Sequence, residues 1–247
     1  MDTKKILREI KLSVFNRKLT CNLCSRENFN GEYFCDNCLS RLVKNDGYIC
    51  DHCGAPLEYP SAYCDTCADK NLSFSYSRSA FIYTGEVKKL IRDMKFNGKA
   101  YLADIFAKYA YEKFIKCGYN ADIIVYIPMT KRRERKRGYN QSRLMAEEIS
   151  ALSGIKIGYG IVEKRETETN QVGLTRSERR RNLTGSFLVK DKLSIKDKTV
   201  LVVDDVMTTG STLECISAEL KKAGAKEVIA LTAAVTARKF SVDKHIE

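Results

Sequence analysis

Val200-Leu201-Val202-Val203-Asp204-Asp205-Val206-Met207-Thr208-Thr209-Gly210-Ser211-Thr212-Leu213 is the stretch on which the reading of this sequence turns. Val200 to Val203 have the unbroken aliphatic character of a central parallel strand buried on both faces. Two carboxylates end the strand and a Thr/Gly/Ser run follows. Leu213, Ile216, Leu220 and Ala223 then set a helical stripe closed by Gly224. A strand, a short loop and a helix N-terminus make an anion site, because unpaired backbone N–H groups and the positive end of the helix dipole converge there. Thr208, Thr209, Ser211 and Thr212 add hydroxyl donors. Asp204 and Asp205 would repel that anion, so their natural partners are neutral hydroxyls, or a metal held through water. A sugar diol attached to a phosphate satisfies both halves. The competing reading is a plain strand–turn–helix in which the Asp and Thr side chains only cap.

The pattern resembles the phosphoribosyl-pyrophosphate (PRPP) loop of type I phosphoribosyltransferases, in which an acidic pair holds the ribose hydroxyls and the loop holds the 5′-phosphate. It is not a Walker A loop, since no Gly-Lys-Ser/Thr follows the glycine, and the dinucleotide fingerprint G-x-G-x-x-G is absent.

The chain has 247 residues, 44% of them hydrophobic, which suits one or two folded domains. No apolar run approaches the roughly 18 to 20 residues needed to span a bilayer, and no signal-peptide core is visible at the N-terminus. No membrane insertion and a cytoplasmic location are therefore expected. A net charge of +12 favours polyanionic partners, either nucleic acid or a phosphorylated small molecule. Ile6, Ile10 and Val14 have helical spacing, which predicts a short amphipathic helix within Met1 to Thr20 that packs on the next module.

Eight of the ten cysteines form four C-x-x-C pairs: Cys21 and Cys24, Cys35 and Cys38, Cys50 and Cys53, Cys64 and Cys67. Such a turn points two thiolates at one centre, and two turns complete a tetrahedral shell, so eight cysteines suit two structural Zn²⁺ ions. Consecutive turns pair most simply, and interleaved pairing stays open. A closed four-sulfur shell has no open position for catalysis. His52 reads as a solvated loop residue, and Cys117 and Cys215 as small packing residues.

A second domain begins near Ser73, giving residues 1–72 to the N-terminal helix and ribbon and 73–247 to an α/β unit. Its strands are expected at Phe81 to Tyr83, Asp122 to Pro128, around Ile155 to Val162, Gly185 to Val189, Val200 to Val203 and Val228 to Ala234. Helical stripes lie between them at Val87 to Met94, Leu102 to Phe114 and Ser142 to Leu152. The alternation predicts a mostly parallel sheet with right-handed crossovers. The run Met129 to Gln141 reads as a basic loop at the carboxyl end of a strand, the ligand edge of such a sheet. Lys164 to Leu183 lacks apolar periodicity and, with Arg165, Gln171, Arg176, Arg179, Arg180 and Arg181, is a candidate lid over an anion.

The four C-x-x-C turns, Tyr83-Thr84-Gly85, Met94-Lys95-Phe96-Asn97-Gly98, Arg137-Gly138-Tyr139-Asn140-Gln141, Arg179 with Asn182, and the PRPP loop together resemble the ComF family, over nearly the whole chain. The resemblance implies a type I phosphoribosyltransferase-like α/β fold, its mostly parallel sheet flanked by helices on both faces, behind a small double zinc ribbon. It further implies a role with imported single-stranded DNA in natural competence, with components of the DNA-uptake machinery as partners. Asp204 and Asp205 then take the place of the ribose-binding, catalytic pair. Met207, Thr208, Thr209, Gly210, Ser211 and Thr212 take the PRPP loop, and Met129, Thr130, Lys131 and Arg132 the pyrophosphate loop. Mg²⁺ would accompany PRPP. Two functions fit: an enzyme transferring phosphoribose to an unidentified acceptor, or a non-catalytic single-strand-binding protein with a regulatory or vestigial PRPP pocket. Tyr33, Phe34, Tyr48 and Tyr63 among the zinc turns are candidate base-stacking platforms for the second, although aromatics so placed more often form ribbon core.

Overall fold

The computed structural model describes residues 19–68, 70–165 and 185–237. The expected N-terminal helix, and Gln171, Arg176, Arg179, Arg180 and Arg181 of the expected lid, lie outside the described residues. Two four-residue helices, α1 (Asp36–Leu39) and α2 (Asp65–Ala68), each start one residue past the first cysteine of a C-x-x-C pair. Next come β1 (Tyr76–Ile82), α3 (Gly85–Phe96), α4 (Leu102–Lys116), β2 (Ile123–Tyr126), α5 (Lys131–Arg137) and α6 (Gln141–Ser153). The chain ends with β3 (Val162–Lys164), β4 (Phe187–Val189), β5 (Thr199–Met207), α7 (Ser211–Lys222) and β6 (Glu227–Val235).

The main sheet is parallel with strand order β1-β6-β5-β2. β5 lies between β6 and β2, and its side chains alternate between two cores. Leu201 and Val203 join Ile124, Ile229 and Leu231 on the face packed by α4 and α6. Val200 and Val202 join Ile123, Val125, Val228 and Ala230 on the face that carries Leu213, Ile216 and Leu220 of α7. Each fully buried aliphatic side chain contributes roughly 1.5 to 3 kcal/mol, which is why this strand is continuous in hydrophobicity and central in the sheet.

The ribbons are built into these cores. Phe34, Cys38 and Leu42 pack with Phe81 and Phe106 in the first core, while Cys50, Cys53, Leu57 and Phe74 belong to the second. The chain leaving the first ribbon runs along the outer edge of β1: Asn45 N–H donates to the Ala80 carbonyl at 2.9 Å and Ile82 N–H to the Val43 carbonyl at 2.8 Å. The outer edge of β2 is met in the same way, with Ile124 N–H bonded to Lys156 O at 2.9 Å and Gly158 N–H to Ile124 O at 2.8 Å. Arg78, buried beside the stacked rings of Tyr76 and Tyr119, donates to the Asp51 carbonyl at 2.9 Å. Ser73 closes the connection to the opposite side, its N–H and Oγ each 2.8 Å from the Glu214 carboxylate in the first turn of α7.

Several elements differ from expectation. His52 is half-buried, its Nε2 lying 2.6 Å from the Phe74 carbonyl and its ring edge-on to Phe74, so it joins ribbon to sheet and is no solvated loop residue. The run after Met129 is a helix over Lys131–Arg137: Thr130 caps its start, Gly138 ends it with a left-handed φ of 86°, and Arg135, Lys136 and Arg137 complement the dipole in its last turn. Gly185 to Val189 and Ile155 to Val162 do not supply strands of the parallel sheet. β3 and β4 pair antiparallel as a separate ribbon, and the earlier segment gives only a bridge from Ile157 to Ile124. β5 runs on through Met207, which places both aspartates inside the strand and not beyond it. Each long strand gains residues whose backbone pairing, unlike apolar periodicity, depends on a partner distant in sequence.

Gly54, just past the Cys50–Cys53 turn, has φ +66° and faces β1 so closely that a Cβ would stand 2.3 Å from the Ser77 carbonyl oxygen. Gly54→Ala therefore combines a left-handed alanine with a backbone clash and should destabilise by about 2 to 4 kcal/mol. Gly31→Ala, at φ +74° with nothing within 4 Å, carries only the conformational part, about 1 kcal/mol. Thermal melting of the two variants side by side checks the difference.

Candidate functional site

A cleft of about 760 Å³ opens at the carboxyl ends of β2 and β5. Lys95 and Phe96 from the end of α3, Ile127 to Thr130 after β2, and Arg133, Lys136 and Arg137 of α5 line it, with Lys164 of β3, Asp204 of β5 and Thr212 of α7. Asp204 is the one carboxylate among the described lining residues. Its Oδ1 accepts from Ser142 Oγ at 2.8 Å and from the Asp205 N–H at 2.8 Å. Ser142 is delivered by α6, whose cap Asn140 accepts from the Ser142 and Arg143 N–H groups and donates to the Ile127 carbonyl at 3.0 Å, locking the helix start to the end of β2.

Burial, and next the neighbouring Asp205 charge, push the Asp204 carboxyl up to about 7. Asp205 is 4% exposed and does not line the cleft; its Oδ1 pairs with Lys95 Nζ at 2.7 Å, and its buried Oδ2 has no hydrogen-bond partner. On the facing wall burial, reinforced by the Arg133 charge, lowers the Lys164 ammonium from its usual range, while Asp204 works in the opposite sense. The site is therefore a narrow acidic spot inside a cationic rim.

The loop after β5 turns directly into α7. Gly210 is the cap of α7 with φ +78°, and a Cβ there would stand 3.1 Å from Met207 Cε. Thr208 and Thr209 are exposed, Gly210, Ser211 and Thr212 half-buried, and Thr209 Oγ1 lies 2.9 Å from Ser211 Oγ. Met207 packs its side chain into the core beneath the loop, leaving only its backbone for a ligand. Of the expected pyrophosphate loop, Met129 and Thr130 line the cleft, whereas Lys131 and Arg132 are exposed elsewhere on α5; one helical turn brings Arg133, Lys136 and Arg137 to the cleft instead. Arg165 is exposed beside β3, its N–H bonded to the Ser186 carbonyl at 2.8 Å. Lys95 and Ser142 were not legible as site residues, because each meets its aspartate only through tertiary packing, Ser142 from beneath Asp204 without lining the cleft; Lys164 begins the expected lid and does line it.

The cysteines come together as two groups, Cys21/24/35/38 and Cys50/53/64/67, with ligand sulfurs in each group all within 4.8 Å of one another. This is the consecutive pairing. Sγ separations of 3.9 Å for Cys24–Cys35 and 3.7 Å for Cys53–Cys64 match the edge of about 3.8 Å of a tetrahedron with a Zn–S bond of about 2.3 Å. The donor set fits two closed structural zinc sites. Cys117 and Cys215 stand apart from both groups and are half-buried.

Comparison with known proteins agrees with this geometry. Residues 102–246 match the phosphoribosyl transferase domain family and residues 14–68 the double zinc ribbon domain, so a phosphoribosyl transferase domain behind a zinc ribbon is the class of protein the fold and cleft define. Within that class the chain belongs to the ComF family. It is 30% identical to "Competence protein F" of Haemophilus influenzae over 71% of this chain and 79% of the relative. It is 28% identical to "DNA utilization protein YhgH" of Salmonella typhimurium, covering 78% and 86%. To "Competence protein ComFC" of Streptococcus pneumoniae it is 29% identical, covering 80% and 79%. Among the described residues no helix is long and apolar enough to cross a membrane.

Metal analysis of protein purified without added zinc should give about two ions per chain, and Cys53→Ser about one with a lower melting temperature. Asp204 also makes stability depend on pH. Its folded value of about 7 stands above the ordinary 3.8, so the folded chain binds the extra proton more tightly. The contribution of Asp204 is full below pH 3.8 and declines as pH rises through about 7. Asp204→Asn removes that decline, so its melting temperature relative to wild type should be higher at pH 8 than at pH 5.

Proposed function

We propose that the protein binds PRPP with Mg²⁺ in this cleft, transfers its phosphoribosyl group to an acceptor, and serves in the handling of imported single-stranded DNA. The observation that carries the reading is the meeting, in one cleft, of Asp204, Thr212 at the start of α7 and the cations Arg133, Lys136, Arg137 and Lys164. The names of the relatives, competence and DNA utilization proteins, support the setting.

In this reading the 5′-phosphate lies on the N–H groups and hydroxyls of Thr208 to Thr212, and a ribose hydroxyl donates to Asp204, which Ser142 holds in place. Mg²⁺ keeps several waters and takes only one or two protein carboxylates beside phosphate oxygens, so a lone cleft carboxylate suits it; when bound it neutralises diphosphate charge. The C1–O bond to diphosphate breaks as the C1–acceptor bond forms, through an oxocarbenium-like state. Arg133, Lys136, Arg137 and Lys164 stabilise the charge that gathers on the departing diphosphate. Lys164 is suited to this because burial already desolvates its ammonium, which lies over the Phe187 ring.

Single-stranded DNA binding without turnover is the second reading, favoured by Tyr48 and Tyr63 at 55% and 52% exposure on the second ribbon and by the exposed basic face of α5. Phe34 is core, the alternative reading for these aromatics, and Tyr33 is half-buried against Lys108. The domain division at residues 72 and 73 belongs to the same proposal.

Calorimetry decides the first reading. Asp204→Asn and Lys164→Ala should each weaken Mg²⁺-dependent PRPP binding by about ten to a hundredfold with the fold intact, since each removes a charge-assisted hydrogen bond. Unchanged binding in both would refute the assignment, and pyrophosphate release with candidate acceptors would separate enzyme from binder. Fluorescence anisotropy tests the DNA role: affinity should fall with salt on a log–log slope of about 0.7 per phosphate contact, and Arg132→Ala with Arg135→Ala should flatten that slope.

A further inference from the structure

We propose that the two adjacent aspartates do different work: Asp204 meets the ligand, while Asp205 is a positioning residue that anchors Lys95, and Lys95 is the second ligand-binding group of the sugar subsite. This rests on the reading of the cleft as a sugar-phosphate site and assigns its polar groups.

Asp205 is almost fully buried and absent from the lining of the cleft, whereas Lys95 lines it. Their 2.7 Å contact uses one of the three ammonium protons of Lys95. Two donors remain at a point from which the Lys95 charge also acts on Asp204. A sugar hydroxyl is both donor and acceptor. Asp204, with Oδ1 taken by Ser142 and the Asp205 N–H, keeps Oδ2 for the hydroxyl proton, and Lys95 can donate to a hydroxyl lone pair beside it. An acceptor and a donor side by side engage both the proton and a lone pair of the diol, whereas two carboxylates can only accept. The fold supports this placement from both sides. Lys95 is in the last turn of α3, whose Met94 carbonyl accepts from the Tyr139 hydroxyl, so the end of α3 is tied to the segment that leads into α6. Asp205, in the interior of β5, cannot move toward the cleft without breaking strand pairing.

The test uses the full-length, zinc-loaded protein, ribose 5-phosphate as the probe with hydroxyls and inorganic phosphate as the probe without them. Lys95→Met should weaken ribose 5-phosphate binding about tenfold or more and leave inorganic phosphate nearly unchanged. Lys95→Arg should restore part of the loss. Asp205→Asn should act like Lys95→Met, and the double variant should lose little more than either single one, while Asp204→Asn should add to both. Melting curves confirm that each variant folds. Tighter binding by Lys95→Met would overturn the proposal and make Lys95 a latch over Asp205; so would additive losses from Lys95→Met and Asp205→Asn. Failure of wild-type protein to bind ribose 5-phosphate would instead remove the sugar-phosphate reading of the cleft, and this assignment with it.

Discussion

Everything in this molecule hangs on a nine-residue strand that must be buried on both faces and still end in carboxylates. Between β6 and β2 the backbone of β5 has its polar groups paired on either side, so aliphatic side chains can fill two cores without leaving unsatisfied amides. That constraint orders the helices, with α4 and α6 over one face and α7 over the other. It also fixes where chemistry can occur. Where the aliphatic run stops, the strand is still held rigidly, and the first polar side chains it presents inherit that rigidity. Asp204 stands at the mouth of the cleft and Asp205 in the wall behind Lys95 because the strand continues through both.

The burial that supports the site also sets its electrostatics. Asp204 carries a carboxyl whose proton leaves only near neutrality, next to a second carboxyl neutralised by an ammonium. Lys164, across the cleft, is desolvated in the opposite sense. The cleft is dry enough for each of these charges to matter, the setting in which titration shifts cluster.

Much of this was legible in the sequence. Four aliphatic residues before two aspartates mark a central strand, and a glycine among hydroxyl residues marks the turn into α7, because these signals are local. The C-x-x-C spacing names the metal and its ligands, and the geometry selects consecutive pairing. The helical state of Lys131–Arg137 was hidden, since a run of cations has no apolar face to betray its period; only Thr130 and Gly138, read as caps, would have marked it. Lys95 and Ser142 were hidden for a different reason. Each is an ordinary residue at a helix end, and only the packing of α3 and α6 beside β5 gives it an aspartate for a partner.

The segments that run along the outer edges of β1 and β2 bear on how the protein meets other molecules. An open parallel sheet presents two rows of unpaired backbone groups, which invite strand addition by another chain. Here Val43 to Asn45 takes up part of one row and Lys156 to Gly158 part of the other, both as short irregular stretches that cannot propagate a ladder. The chain supplies its own edge strands in fragments. The edges are thereby partly closed to main-chain pairing, which leaves the sheet poorly suited to seed a fibre.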